Sequence, residues 1–424
     1  MDAPTPSAFT RPVTSLLIAT MCSSAAALAA DIALGKLVFD ITDSELDLGL
    51  IGLAEFAPAF LLVFVTGVVA DRFDRRRVAA AGMAIELLAA MALVAFVASE
   101  PTTVGPIFGL VLVFGTGRAF AAPAARSMPA DIVEAERLPW LMARYAGTWQ
   151  VALIVGPVLG GTLYAVDPTY PFVAMVVLLA VAVVAILQVR SARAAARVKA
   201  EREERAAENA ERPTLHDATE GFRFIRTRPV LLGAISLDLF AVLFGGAVAL
   251  LPAIATERLH VGAAALGWLR AAGGIGAAAT TFGLTRRPVE RNVGRTLLVV
   301  VAIFGVFTIV LGATTSYWVA FVAMLVLSGA DAISVFIRST LVPLVTPAAK
   351  RGRVLAVENV FIGASNELGA FESGVAGQVL GPSAAVVLGG VMTLAVAFGW
   401  WRLFPGLRDV DRFPDQEPES AGAG

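Results

Sequence analysis

PFVAMVVLLAVAVVAILQV, residues 171–189, carries no charge, and RSARAAARVKAEREERAAENAER, residues 190–212, is mostly Arg, Glu and Ala. An apolar run then resumes with LLGAISLDLFAVLFGGAVALLP, residues 231–252. As a helix rising ~1.5 Å per residue, the first stretch is about 28 Å long, close to the ~30 Å hydrocarbon thickness of a bilayer. The charged stretch between the two apolar runs mixes Arg and Glu at helical spacing. It reads as a solvated amphipathic segment joining two membrane bundles, with a regulatory or lipid-headgroup role as the alternative.

The same alternation extends outward in both directions. Apolar blocks run over roughly 13–40, 48–70, 78–99, 104–126, 140–165 and 171–189, and over roughly 230–253, 262–284, 294–313, 317–345, 353–380 and 384–404. Twelve such blocks predict an all-α membrane protein of twelve transmembrane helices. The chain divides into a six-helix bundle over 1–190, a linker over 191–229, a second six-helix bundle over 230–405, and a disordered tail over 406–424. Composition agrees: 57% of the 424 residues are hydrophobic and 16% charged, with mean hydropathy +0.77. Soluble domains carry roughly 25% charge. The first block exceeds signal-peptide length and is read as a span, not a cleaved leader.

Loop charges orient the chain. Arg72, Arg75, Arg76 and Arg77, then Arg137 and Arg144, the run from Arg190 to Arg228, then Arg286, Arg287, Arg291 and Arg295, and finally Lys350, Arg351 and Arg353 all fall on one side. Asp43, Glu45, Asp47, Glu100 and Asp167 fall on the other, where Arg258 is the one clear cation. Both termini are therefore expected in the cytoplasm, with the protein in a bacterial inner membrane. A net charge of −1 excludes a global nucleic-acid signature. One cysteine, Cys22, excludes an intrachain disulfide, and His216 and His260 are too far apart in the chain to suggest a zinc pair. No cofactor or metal is expected.

An internal repeat divides the blocks into halves. Aligning Arg126-Ser127 in block four with Arg338-Ser339 in block ten also aligns Gly117 with Gly329. Paired halves with a site near the midplane are the architecture of alternating-access carriers.

Between blocks two and three lies Gly67-Val68-Val69-Ala70-Asp71-Arg72-Phe73-Asp74-Arg75-Arg76-Arg77. It resembles the G-x-L-a-D-R-x-G-R-R signature of the major facilitator superfamily, with Val69 and Asp74 off pattern. Gly156-Pro157-Val158-Leu159-Gly160-Gly161 in block five resembles that superfamily's G-P-x-x-G-G exporter element. LLGAISLDLFAVLFGGAVALLP and RGRVLAVENVFIGASNELG extend the resemblance to the branch of bacterial enterobactin exporters and related efflux permeases. The resemblance implies the major facilitator fold, two pseudo-symmetric six-helix bundles, and a conformational latch of Gly67, Asp71, Arg72 and Arg75. It also implies that Gly156, Pro157, Gly160 and Gly161 mark an exporter. Generic positive-inside charge and small-residue packing are the plainer readings of the two motifs.

Ionisable groups inside spans usually face cavities or partners, because each costs ~2.5–3.5 kcal/mol on insertion scales. Asp31 and Glu55 lie at similar depth in blocks one and two and are the leading proton-coupling candidates, with Asp331 and Glu367 near the middles of blocks ten and eleven. The alternative for Asp31 and Glu55 is a static pair holding helices together; for Asp331 it is a structural partnership with Arg338 or another cation. Arg118 resembles the span-four arginine of proton-driven exporters and is expected to pair with Asp31 or to bind substrate. Trp149, Gln150, Asn359 and Asn366 complete the substrate-cavity candidates, the last two on a small and polar stripe with Gly363, Ala370 and Ser373. Glu86, Asp238, Arg270 and Glu372 read as structural.

The reading is a monomeric, non-enzymatic secondary transporter that contacts lipid, protons and a small-molecule substrate. It is a proton-coupled exporter of a small amphipathic molecule such as a siderophore, with drugs or lysophospholipids as rival cargo. No P-loop supports ATP drive. A non-transporting receptor or scaffold is the alternative from a different class.

Overall fold

In the computed structural model, residues 10–62, 65–66, 69, 73–189 and 215–414 are described. Twelve long helical segments occur there, matching the twelve apolar blocks: α1 Arg11–Thr42, α2 Glu45–Leu61, α3 Arg75–Val97, α4 Gly105–Ser127, α5 Leu138–Tyr164, α6 Tyr170–Gln188, α7 Pro229–Phe244, α8 Ala263–Arg286, α9 Val293–Ala313, α10 Tyr317–Leu344, α11 Ala348–Leu380 and α12 Pro382–Leu403. Among the described residues, nine helical segments are long and apolar enough to cross a membrane, with the seventh span counted as Pro229–Arg258, from α7 across the turns that follow it. The other three depart for visible reasons. α2 is only 17 residues long, α8 is rich in Gly and Ala and carries Arg270, and α11 carries Lys350, Arg351, Arg353, Glu358, Glu367 and Glu372.

Local chemistry sets the helix ends. The Ser44 hydroxyl accepts the Asp47 amide at 3.3 Å, and the Asp74 carboxylate accepts the Arg76 amide at 3.0 Å. These side chains satisfy amides that have no partner within the first helical turn. Asp43 closes α1 in the left-handed region (φ 51°), returning its amide to the Phe39 carbonyl. Gly381 (φ 83°) joins α11 to α12 at a conformation only glycine adopts cheaply.

The chain forms two compact units: Met1–Ala210 with Val261–Ala271, and Glu211–His260 with Ala272–Gly424. In the first, α1 packs on α5 and α6, and α3 on α4 and α6. In the second, α7 packs on α11 and α12, and α9 on α10 and α12. The pairings correspond helix by helix, six positions apart, as the aligned arginines and glycines predict. The aligned glycines both permit close approach but against different neighbours: a Cβ on Gly117 would lie 2.6 Å from the Gly82 carbonyl oxygen on α3, and one on Gly329 would lie 2.7 Å from Thr280 Oγ1 on α8. With lipid on the outside there is little hydrophobic drive between helices, so such close approaches hold the bundles together by packing.

Two expectations are corrected. The seventh span is not one helix: α7 ends at Gly245, Ala247–Leu250 is a 3₁₀ turn, and Ile254–Arg258 is a π turn. The Gly245-Gly246 pair breaks it, and the carbonyls thereby freed are covered by glycines. A Cβ on Gly369 would meet the Val242 and Leu243 carbonyl oxygens at 2.8 Å, and one on Gly389 would meet that of Phe244 at 2.2 Å. The tail is not disordered from 406. Val410 and Asp411 accept the Gly294 and Val293 amides at 2.9 and 3.2 Å, capping α9, and Leu407 is fully buried. Arg408 donates to Asp409 at 2.8 and 3.0 Å, which holds that carboxyl below its usual range.

The charged run between the bundles lies largely outside the described residues. Its end forms a helix, Leu215–Thr227, which docks on α11. Glu220 accepts Arg353 at 2.6 Å and Lys350 at 3.6 Å, and Phe222 meets Phe361 edge-on.

Candidate functional site

In the first unit, four spans bring their charges together. Arg118 on α4 donates to Glu55 on α2 at 3.3 Å. Asp31 on α1 feels both Arg118 and Arg270 electrostatically, and Glu86 on α3 feels Arg118 and Glu55. Arg118 therefore pairs directly with Glu55; the sequence reading offers Asp31 or an anionic substrate as its partner. Close packing fixes the heights. Gly115 lets α2 approach so closely that a Cβ there would sit 2.2 Å from the Glu55 carbonyl oxygen, and a Cβ on Gly117 would lie 3.0 Å from Glu86 Cγ.

Beside this cluster opens a cavity of about 310 Å³, lined by Thr20, Ser23 and Ser24 of α1, Glu86 of α3, Arg118 and Arg126 of α4, and Tyr145 and Trp149 of α5, with Ala and Met between them. Arg118 and Glu55 remain 33% and 23% exposed, and of the two Arg118 lines the cavity. The Glu86 residue is 3% exposed. Thr20 Oγ1 is buried beside the Tyr145 hydroxyl. A larger groove of about 390 Å³, along Phe73, Arg77, Ile85 and Phe120, is almost wholly apolar and holds none of the candidate carboxylates.

The second unit has a cluster of the same make-up. Arg338 on α10 reaches Asp238 on α7 at 2.7 Å and Ser334 at 3.4 Å, while Asp331 and Glu358 lie within electrostatic range. The sequence reading paired Arg338 with Asp331, but Asp238 is the partner. The two side chains are only 5% and 7% exposed.

A family model for transmembrane secretion effectors matches residues 6–418. The chain belongs to that family, within the major facilitator superfamily. It is a multi-pass membrane protein and a secondary transporter of small molecules, not an enzyme. No curated protein sequence matches it. Among solved structures, the nucleoside transporter NupG is similar at TM-score 0.67 and 16% identity, covering 93% of this chain and 99% of that one. A mutant of the peptide transporter POT in complex with sulfate matches at 0.73 and 12%, covering 94% and 95%. A bacterial homologue of the human lysosomal transporter Spinster matches at 0.64 and 13%, covering 95% and 97%. At these identities the likeness shows the fold.

Within this secretion effector, the other candidates fall as follows. Arg75 of the latch pairs with Asp131 at 3.0 Å, just beyond α4, whereas Gly67, Asp71 and Arg72 lie outside the described residues. Gly156 and Gly160 seat α5 on α1, where a Cβ on Gly160 would meet the Ala29 carbonyl oxygen at 2.4 Å. Gly161 meets Gly267 and Ala263, and Pro157 directs its carbonyl at Gly267. Trp149 lines the cavity and is 39% exposed, whereas Gln150, half-buried beside it, is not among the lining residues. Asn359 and Asn366 are exposed on α11 and donate to carbonyls of their own helix at 2.9 Å; Glu367 is half-buried there.

Sequence reasoning passed over Glu86, Arg126, Thr20 and Tyr145. The available signal was that Glu86 is the only acidic residue of α3 and sits four residues after Gly82, on the face that meets α4.

Proposed function

We propose that this transporter is a proton-coupled exporter of a small amphipathic molecule, working by alternating access as a monomer in a bacterial inner membrane with both termini cytoplasmic. The observation that carries this reading is the Arg118 cluster: three acidic side chains from three helices around one guanidinium, bordering a cavity. A carboxylate that exchanges an arginine partner for a proton couples the two movements, because proton occupancy and the ion pair exclude each other. Asp31 and Glu55 lead this role, with Asp331 and Glu367 as the second-unit candidates. The loop arginines support the orientation, the resemblance of Gly156-Pro157 and Gly160-Gly161 to the exporter element supports the direction, and Arg75 with Gly67, Asp71 and Arg72 supplies the latch. Siderophore cargo rests on the sequence resemblance. A cavity of about 310 Å³ suits a single-ring molecule better than a complete multi-ring siderophore. Drugs and lysophospholipids are the rival cargoes.

The test is transport in proteoliposomes under an imposed proton gradient. Gradient-dependent accumulation is expected, and Asp31→Asn should abolish its gradient dependence. Accumulation indifferent to the gradient would reject proton coupling, and an Asp31→Asn protein with full coupling would remove Asp31 from the proton site.

A further inference from the structure

The cavity of the first unit carries two ionisable side chains without an ion pair or hydrogen bond among the described residues, the buried Glu86 and the exposed Arg126. Glu86 is almost fully buried, yet among the described residues its carboxylate makes no ion pair or hydrogen bond; Arg118 reaches it only electrostatically and donates its hydrogen bond to Glu55. Arg126 also lines the cavity and makes no ion pair or hydrogen bond among the described residues. A buried carboxylate without a donor is costly unless a ligand supplies one. The Thr20 hydroxyl, beside that of Tyr145, is a third polar position in the same wall.

The two charges are separated along the bundle. Glu86 sits at the height of Gly117, and Arg126 follows Gly117 by nine residues on α4, about 13 Å of helical rise. Both side chains are long enough to reach toward each other and shorten that gap. Tyr145 and Trp149, four residues apart on α5, share the face that lines the interval. The cavity thus has a donor-seeking end, an aromatic wall and an anion-seeking end, in a volume that admits one ring.

We propose that this cavity binds a bipolar aromatic molecule: a single ring with an ammonium or comparable donor at one end, held by Glu86 and Thr20, and an anionic group at the other, held by Arg126. The ring lies along Tyr145 and Trp149. This deepens the transport reading, on which it rests, by naming the cargo class. A purely cationic ligand leaves Arg126 unanswered, and a purely anionic one leaves Glu86 buried without a donor.

Three matched probes test it on the purified full-length protein by calorimetric titration near neutral pH: 4-(aminomethyl)phenylacetate, 4-methylphenylacetate and 4-methylbenzylamine. The bipolar probe should bind roughly tenfold or more tightly than either singly charged one, the scale of one charge-assisted hydrogen bond. Glu86→Gln should erase its advantage over 4-methylphenylacetate, and Arg126→Gln its advantage over 4-methylbenzylamine. Equal affinity for the bipolar probe and the better single-charge probe overturns the proposal, as does no binding by any of them. So does an unchanged preference in Glu86→Gln. The wild-type comparison decides even if a variant fails to fold. Proton-gradient dependence, read separately in proteoliposomes, judges the coupling reading, so one can fail while the other stands.

Discussion

The two units use similar ingredients, an arginine among three acidic side chains with Arg270 added near Asp31 in the first, and close them differently. Around Arg338 the pair with Asp238 is short and sealed, with both side chains at most 7% exposed. Around Arg118 the pair with Glu55 is longer and open, with both more than a fifth exposed and a cavity beside them. A sealed ion pair has already lost its water, so it resists rearrangement; an open pair still exchanges with water, protons or ligand. On the proposed reading, the Arg338–Asp238 pair holds and the Arg118–Glu55 pair works.

The largest effect should come from breaking the sealed pair. Asp238→Leu leaves Arg338 buried without its counter-ion and should lower stability by about 3–5 kcal/mol, read as thermal unfolding in detergent. Adding Arg338→Met should recover most of that loss. The matching change in the open pair, Glu55→Gln, should cost about 1 kcal/mol or less. Similar losses in the two units would erase the contrast.

Next in size, Arg118→Gln should reduce gradient-driven flux roughly 10- to 100-fold while the melting temperature stays near wild type, since it removes charge-assisted hydrogen bonding from a solvent-reachable site. A parallel fall in stability would make Arg118 another holding residue. Gly115→Ala drives a methyl to 2.2 Å from the Glu55 carbonyl oxygen. It should cost about 1–3 kcal/mol as an overpacked contact and shift Glu55 enough to weaken coupling; flux and melting measured together check both. The smallest effect is expected at Glu220→Gln, about 0.2–1 kcal/mol, because the pairs with Arg353 and Lys350 are exposed. Faster amide exchange confined to the linker helix is the sign to look for.

Which parts were legible in the chain follows from what one dimension records. Apolar block length gave most of the spans within a few residues, blocks two and seven excepted, and the repeat of six blocks anticipated corresponding helix pairs. Depth along a span was readable too, at ~1.5 Å per residue. Which neighbouring helix a side chain meets was not. Asp331 and Arg338 are seven residues apart and so share a helix face, which made them look like a pair. They are also about 10 Å apart along the axis, whereas Asp238 reaches Arg338 from another helix. Glu86 shows the same limit: its place beside the cavity depends on α3 and α4 meeting at Gly82 and Gly117, a contact that neither helix announces alone.

The break in the seventh span bears on how freely this protein's sequence can drift. Three carbonyls there rest on hydrogen-only surfaces at Gly369 and Gly389, and Gly246 in turn meets the Gly369 carbonyl and the Ser373 hydroxyl. These positions belong to three different spans, so no single compensating replacement restores the fit. In a saturation library scored for surface expression, 246, 369 and 389 would stand out as a linked group of intolerant sites. New cargo preferences would have to be reached by substitutions elsewhere, with this corner of the bundle inherited unchanged.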